Sequence, residues 1–301
     1  MQKLVLFLSF CSLVFSQSLE PRLYSNAPTD MSFLVLGYAH TQGALSNIPN
    51  LGLKDADLGV NIGILAYAHY LNIGGDSAKF DIIVPLVNIN GTGSLLNSSS
   101  GLYEDVSRNV SGLGDIKARL SYNFYGAPAL GLKDFATYKQ DTIVGVSLQV
   151  TMPTGQYDSS KLVNVSPHRW AIKSGIGISK TINDFIVELS ADAEFYSQND
   201  EFLGSNKRQQ AVVYSTQVHV IYNFMRGLWL GMDANYYVGG ENTTNGIKAD
   251  DSLANARYGM TLSVPLNRYN SIKLYGNSGI VTRTGTDFDM LGVMWQIRFN
   301  D

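Results

Sequence analysis

The chain has little of what marks most soluble or secreted domains. It holds one cysteine, Cys11, in 301 residues, so no disulfide framework is available to it. Charged residues make up 16%, against roughly 25% in an ordinary soluble domain. A disordered chain would be rich in charge and poorer in aromatics than the 11% present. Beyond the N-terminus no stretch approaches the ~20 apolar residues that a spanning helix needs, which excludes a multi-span helical membrane protein. A formal net charge of −3 leaves no electrostatic footprint for nucleic acid, so none is expected as a partner. Catalytic signatures are missing as well. His40, His69, His168 and His219 have no metal-ligand spacing, so no metal is expected. The residues two places after them are Gln42, Leu71, Trp170 and Ile221, none of which is the serine a barrel lipase sets beside its histidine. The sequence predicts no enzyme and no cofactor.

What is present begins with an export signal over residues 1–16. Lys3 supplies the positive end, Leu4 to Val14 the apolar core, and Val14-Phe15-Ser16 the cleavage site. Residues 17–30 form an N-terminal periplasmic segment holding Pro21, Arg22, Tyr24 and Pro28. It is either a latch in the periplasmic mouth or a loose leader. Residues 31–301 form one domain.

Strict alternation dominates that domain. Ile116, Ala118, Leu120, Tyr122 and Phe124 share one face, and Asp115, Lys117, Arg119, Ser121 and Asn123 the other. Side chains of a strand alternate between faces, so the segment is a strand with one apolar and one polar side. The pattern returns around Val146, Ile176, Leu189, Leu230, Leu262 and Val293, with weaker runs at Phe33–His40, Val60–Tyr70 and Phe80–Val87. About twelve strands result, joined by connections that alternate between short and long. Thr41–Asp57 and Asn88–Ser111 count among the long loops, and Gly126–Gln140 reads as a short amphipathic helix. Pro85, Pro153 and Pro265 fall near proposed strand ends, where a missing N–H matters least.

A soluble sandwich also alternates, but its outer polar face would be densely charged. Here that face is largely Gly, Ser, Thr and Asn, while aromatics such as Tyr122, Phe195, Tyr236, Trp295 and Phe299 gather at strand ends on the apolar face. Lipid outside and a crowded wet interior account for both. The predicted fold is a closed antiparallel transmembrane β-barrel of about 12 strands, with short periplasmic turns and longer extracellular loops, in the outer membrane. Its expected partners are membrane lipid, a small-molecule solute, and the barrel-assembly machinery acting on the last strand, which ends at Phe299.

The polar face nominates the lumen-lining residues. Asp115, Lys117, Arg119, Lys173, Glu188, Asp192, Glu194, Asp233, Arg257, Lys273 and Arg298 are expected to point inward, along with Arg283 and Asp289. They either pair to fill a narrow lumen or line a selective polar path. Glu188, Asp192 and Glu194 are expected to face Lys117, Arg119 and Lys173 as a charge constriction. Tyr157, His168, Arg169 and Trp170 lie on one long loop and are either surface decoration, with Trp170 in the aromatic girdle, or a ligand contact.

Several segments resemble a bacterial outer-membrane family. They are Leu19–Thr29, Ser111–Asp115, Tyr125–Leu130, Gln140–Gly145, Pro153–Tyr157, Asn164–Trp170 and Ser271–Tyr275. That family is catalogued under the meta-pathway of phenol degradation and is often called simply a transporter. The resemblance implies a barrel passing small, aromatic organic compounds, and it brings no catalytic residues. The expected function is therefore passive uptake of small organic molecules. The alternative is a structural or adhesion barrel with a closed lumen that binds partners through its loops.

Overall fold

The computed structural model describes residues 19–45, 53–96, 100–283 and 286–299. The export signal predicted at 1–16 lies outside the described residues. In chain order the strands begin with β1 (Ser32–Leu45), β2 (Leu53–Ile73), β3 (Asp76–Leu96), β4 (Tyr103–Leu113) and β5 (Lys117–Tyr125). One helical turn, α1 (Leu132–Phe135), stands where an amphipathic helix was expected. Next come β6 (Thr142–Thr151), β7 (Ala171–Ile182) and β8 (Phe185–Tyr196). Two short strands, β9 (Asn199–Phe202) and β10 (Asn206–Gln210), precede β11 (Val213–Met225) and β12 (Leu228–Gly239). Another short pair, β13 (Asn242–Thr244) and β14 (Ile247–Lys248), precedes β15 (Leu253–Pro265), β16 (Asn270–Val281) and β17 (Thr286–Phe299).

The large sheet is antiparallel and closes on itself, because β1 pairs with β2 on one edge and with β17 on the other. It forms a closed barrel of 12 staves. β4 and β5 share one stave, since β3 pairs with β4 from Leu86 onward and with β5 up to Ile83. The break has a local cause. Pro85 has no N–H to offer, the Gly114 N–H caps its carbonyl at 2.8 Å, and a Cβ at Gly114 would meet the Pro85 ring at 2.9 Å. Pro85 thus lies inside a long strand rather than at the end expected of it.

Burial confirms the two-faced reading for β5 to β8, β11, β12 and β15. Leu148 and Leu189 are about half exposed, whereas their neighbours Gln149 and Ser190 are buried. Aromatics form two outward bands. Phe124, Tyr125, Phe185, Phe224, Trp295 and Phe299 lie toward the short turns, and Trp170, Phe195, Tyr214 and Tyr236 toward the long loops. Tight turns at the first end rely on left-handed backbone, as at Gly74 and Gly75 (φ 63° and 96°) and at Asn183 (φ 54°).

Three further expectations need correcting. Most of Thr41–Asp57 and Asn88–Ser111 is strand rather than loop. β2 and β3 run 21 residues each, which at about 3.3 Å per residue far exceeds a bilayer crossing. Their upper halves carry an outward amide ladder: Asn90 donates to Asn88 at 2.7 Å, Asn88 to Ser111 at 2.6 Å, and Tyr38 to Asn61 at 2.6 Å. Such a ladder belongs in water or headgroups, so this part stands above the membrane. There the inner face is apolar instead: Ala39, Leu58, Val60, Ile62, Val87, Ile89, Val110 and Phe288 pack with Val165 of the 152–170 loop.

The second correction concerns Asp289, which is exposed on the outer face. Its neighbours Phe288 and Met290 turn inward, and the same odd-numbered register puts Leu291, Val293 and Trp295 outside. The third is Arg283. It follows the end of β16 and reaches out to Ser252 at 2.5 Å and Asp250 at 3.2 Å rather than into the lumen.

Replacing Leu189, near the middle of β8, by Arg is expected to destabilise the barrel by about 2–4 kcal/mol, whereas a polar replacement at inward Ser190 should shift stability far less. Urea titration in defined lipid vesicles measures the difference.

Candidate functional site

The interior is the candidate site. The chain from Leu19 to Asp30 does not trail away from the barrel; it threads into it. The Glu20 N–H donates to Gln217 at 3.2 Å, and the Arg22 N–H donates to Glu188 at 2.7 Å. Tyr24 is 2% exposed and lies within 3.2 Å of the Ser147 hydroxyl. Burial raises the Tyr24 phenol above its ordinary range, so it stays a neutral hydroxyl there. Gly145 and Gly177, opposite one another on β6 and β7, make its bay: a Cβ would meet the ring at 2.7 Å from the first and 2.2 Å from the second. Those two glycines on an otherwise polar face are the sequence signal that something large lies against them.

Glu20 organises the charges. Its carboxylate is 2.5 Å from Arg119 and 3.9 Å from Lys173, and Arg119 also reaches Asp81 at 3.1 Å. Asp81 in turn meets Lys79 at 3.5 Å. The expected constriction is therefore assembled differently from its proposed pairing. Lys173 is the cross-strand neighbour of Glu194, but Arg119 is held by Glu20 and Asp81, and Glu188 is held by the Arg22 backbone and Ser179. Glu20 was missed because nothing in the sequence places a pre-strand residue inside the tube. Asp81 was missed because β3 is apolar on both faces and alternates poorly.

The other nominated residues fall into place around this centre. Asp192 accepts from Ser215 at 3.4 Å, and Glu194 from the Tyr196 hydroxyl at 2.9 Å. Asp233 approaches His219 at 2.5 Å and accepts from Thr261 at 3.2 Å. Arg257 is 2% exposed, donates to Asn277 at 2.5 Å and to the Phe288 carbonyl at 2.7 Å, and covers the Phe288 ring at 3.9 Å. Asp115 sits in the β4–β5 break and accepts from the Gly155 N–H at 2.9 Å, which anchors the 152–170 loop. Lys117 is half-buried beside this set, and Arg298 packs at 5.5 Å from the Tyr269 ring. Toward the short turns, Ile186, Ile221 and Trp229 form an inward apolar cluster. Arg22 lies 4.8 Å and Lys273 5.8 Å from the Trp229 ring centre.

The four loop residues are not gathered to one point. Tyr157 and His168 stack with ring centres 4.5 Å apart, and the Tyr157 hydroxyl donates to Glu201 at 3.0 Å. Arg169 is buried against Tyr196 at 4.6 Å and donates to Gln210, while Trp170 faces outward, half exposed. Among the described residues no three His, Cys, Asp or Glu side chains converge as a metal site requires.

A closed, lipid-faced barrel with a threaded, charged interior defines an outer-membrane β-barrel protein. More narrowly, residues 40–288 match the family described as "Putative MetA-pathway of phenol degradation", and the chain belongs to that family. Among solved structures, it is similar to an outer membrane channel of Pseudomonas putida F1 (22% identity, TM-score 0.75, covering 94% of this chain and 100% of that one). It also resembles the transport unit of the autotransporter AIDA-I of Escherichia coli (10% identity, TM-score 0.52, covering 97% and 95%). A third is the beta domain of the Bordetella autotransporter BrkA (9% identity, TM-score 0.52, covering 90% and 100%). These likenesses establish the fold. No curated protein matches.

The replacement Gly177→Leu, combined with Glu20→Ala, is expected to expel the 19–30 segment from the barrel. Trypsin, which should spare the Arg22–Leu23 bond in the native protein, would then cleave it, as N-terminal sequencing would report.

Proposed function

We propose that the protein is a passive outer-membrane channel for small organic molecules, aromatic ones included, with its short turns toward the periplasm. The carrying observation is the chain of ion pairs from Lys173 through Glu20 and Arg119 to Asp81, which fills the tube with a peptide segment rather than a packed core. A barrel of 12 staves lies between eight-stranded barrels filled by side chains and the wide 16-stranded porins, so a slim conduit fits its size. The family description and the channel named in Pseudomonas putida F1 support the same reading. Selectivity is assigned to the inward charges Glu188, Asp192 and Glu194 together with the bases Lys117, Arg119 and Lys173, arranged around the threaded segment. No reaction and no cofactor enter this reading, since a gradient alone drives such transport. Phe299, exposed at the end of β17, is the aromatic that the barrel-assembly machinery would read.

The sealed structural barrel is the rival reading, and the apolar cluster of Ile186, Ile221 and Trp229 favours it locally. Planar-bilayer recording and liposome swelling separate the two. The native protein is expected to show small, steady conductance, and deletion of residues 19–27 is expected to raise it several-fold. Closed bilayers with both proteins would establish the sealed barrel instead. Reversing Glu188 and Asp192 to Lys together should move the reversal potential toward anion preference, and an unmoved potential would remove these carboxylates from the selectivity filter.

A further inference from the structure

The lumen has two unlike walls. The inner faces of β5 to β8, β11 and β12 are polar and charged over most of their height, apart from the Ile186–Ile221–Trp229 cluster, but those of β17, β1, β2 and β3 are largely apolar. Phe33, Val35, Gly37 and Ala39 of β1 are register partners of Ala68, Ala66, Ile64 and Ile62 of β2. Ile64 and Ala66 are in turn partners of Pro85 and Ile83 of β3. Met294 of β17 closes the row, facing Gly37. The row is tight, for a Cβ at Gly37 would meet Met294 at 3.2 Å and Ile64 at 3.3 Å. Phe33, Val35, Ile64, Ala66, Ala68, Ile83 and Met294 nevertheless keep intermediate exposure on an inward face, so the wall borders open lumen.

At the edge of this wall stands Lys273, the register partner of Met294. Its ammonium and the Arg22 guanidinium both rest against Trp229. Among the described residues neither cation forms an ion pair: the Arg22 side chain donates to the neutral Asn223 amide, and its Nε is buried without a hydrogen-bond partner. Two enclosed cations share one indole, and the Glu188 carboxylate beside Arg22 is held by its backbone N–H rather than by either cationic head, which leaves positive charge that a diffusible anion can compensate. An apolar wall one strand away gives that anion a place for a flat hydrocarbon body.

We infer that the seam between Lys273, Arg22, Trp229 and the Met294–Ile64 wall is a binding subsite for small aromatic anions such as an aryl carboxylate or a phenolate. The negative group docks between Arg22 and Lys273, and the ring lies on the apolar wall. The inference rests on the channel reading and gives it a substrate class.

Bi-ionic reversal potentials with the potassium salts of benzoate and acetate test it on the full chain. The native protein should pass benzoate at least as readily as acetate, although benzoate is the larger ion. Lys273→Gln should lower the permeability of both anions relative to potassium several-fold. Val35→Thr with Ile64→Thr, which puts hydroxyls on the apolar wall, should lower the benzoate-to-acetate ratio several-fold. Anion permeability untouched by Lys273→Gln, or a ratio untouched by the threonines, would overturn the subsite. Heat-modifiable gel mobility verifies that each variant is folded. If the native protein passes no ion, the channel reading fails, and tryptophan fluorescence titration with benzoate still decides the subsite. A saturable change that Lys273→Gln abolishes upholds it, and no saturable change refutes it.

Discussion

Backbone hydrogen bonding in hydrocarbon is the constraint on which the rest of this structure depends. Lipid offers no partner to a peptide N–H or C=O, so a sheet that crosses it must have no edge. The pairing of β1 with β17 removes the two edges the chain would otherwise expose. Closure then divides the side chains of the staves into those that face outward, to lipid or above it to water, and those that face an enclosed volume. It also separates the ends: tight turns at one, except for the 126–141 connection that carries α1, and most of the long connections with the short strands β9, β10, β13 and β14 at the other.

The enclosed volume sets its own electrostatic problem. Charges taken out of bulk water must find partners or remain expensive. The strands alone do not solve it, because Arg119 and Lys173 face the same region as several carboxylates without being matched one to one. The threaded segment supplies the missing contacts with one side chain, Glu20, and with the backbone N–H of Arg22. Its insertion in turn requires Gly145 and Gly177 where side chains would collide with Tyr24. The same segment brings Arg22 to Trp229, so one stretch of peptide both neutralises one level of the lumen and leaves positive charge at another. The filling of the lumen and the pairing of its charges are thus consequences of a single docking event.

Legibility in the sequence followed burial asymmetry. Where one face meets lipid and the other a polar lumen, as in β5 to β8 and β11 to β15, alternation is plain and the inward residues could be named. Along β1, β2 and β3 both faces are apolar at membrane height, so Gly63 to Ala66 and Ile82 to Leu86 read as continuous runs and the two-faced argument lost its purchase. Asp81 and the apolar inner wall were hidden for that reason. Above the membrane the faces exchange roles, with the Asn61–Asn88–Ser111 ladder outside and Val60, Ile62 and Ile89 within, which reads as loop composition although it is strand. Asp289 was assigned to the wrong side because an acidic residue at a strand end beyond the bilayer obeys no lipid-face rule.

By itself the sequence determined the class of fold, the approximate number of staves, their inside and outside from β5 through β15, and the charged character of the lumen. These all follow from a local period of two imposed by the pleat. Only the tertiary structure decided where the first residues of the domain go, which carboxylate meets Arg119, and which apolar faces line the tube. Those are contacts between segments remote in the chain, as Glu20 and Arg119 are, and they exist because closure brings every strand to face a common interior that no local pattern encodes.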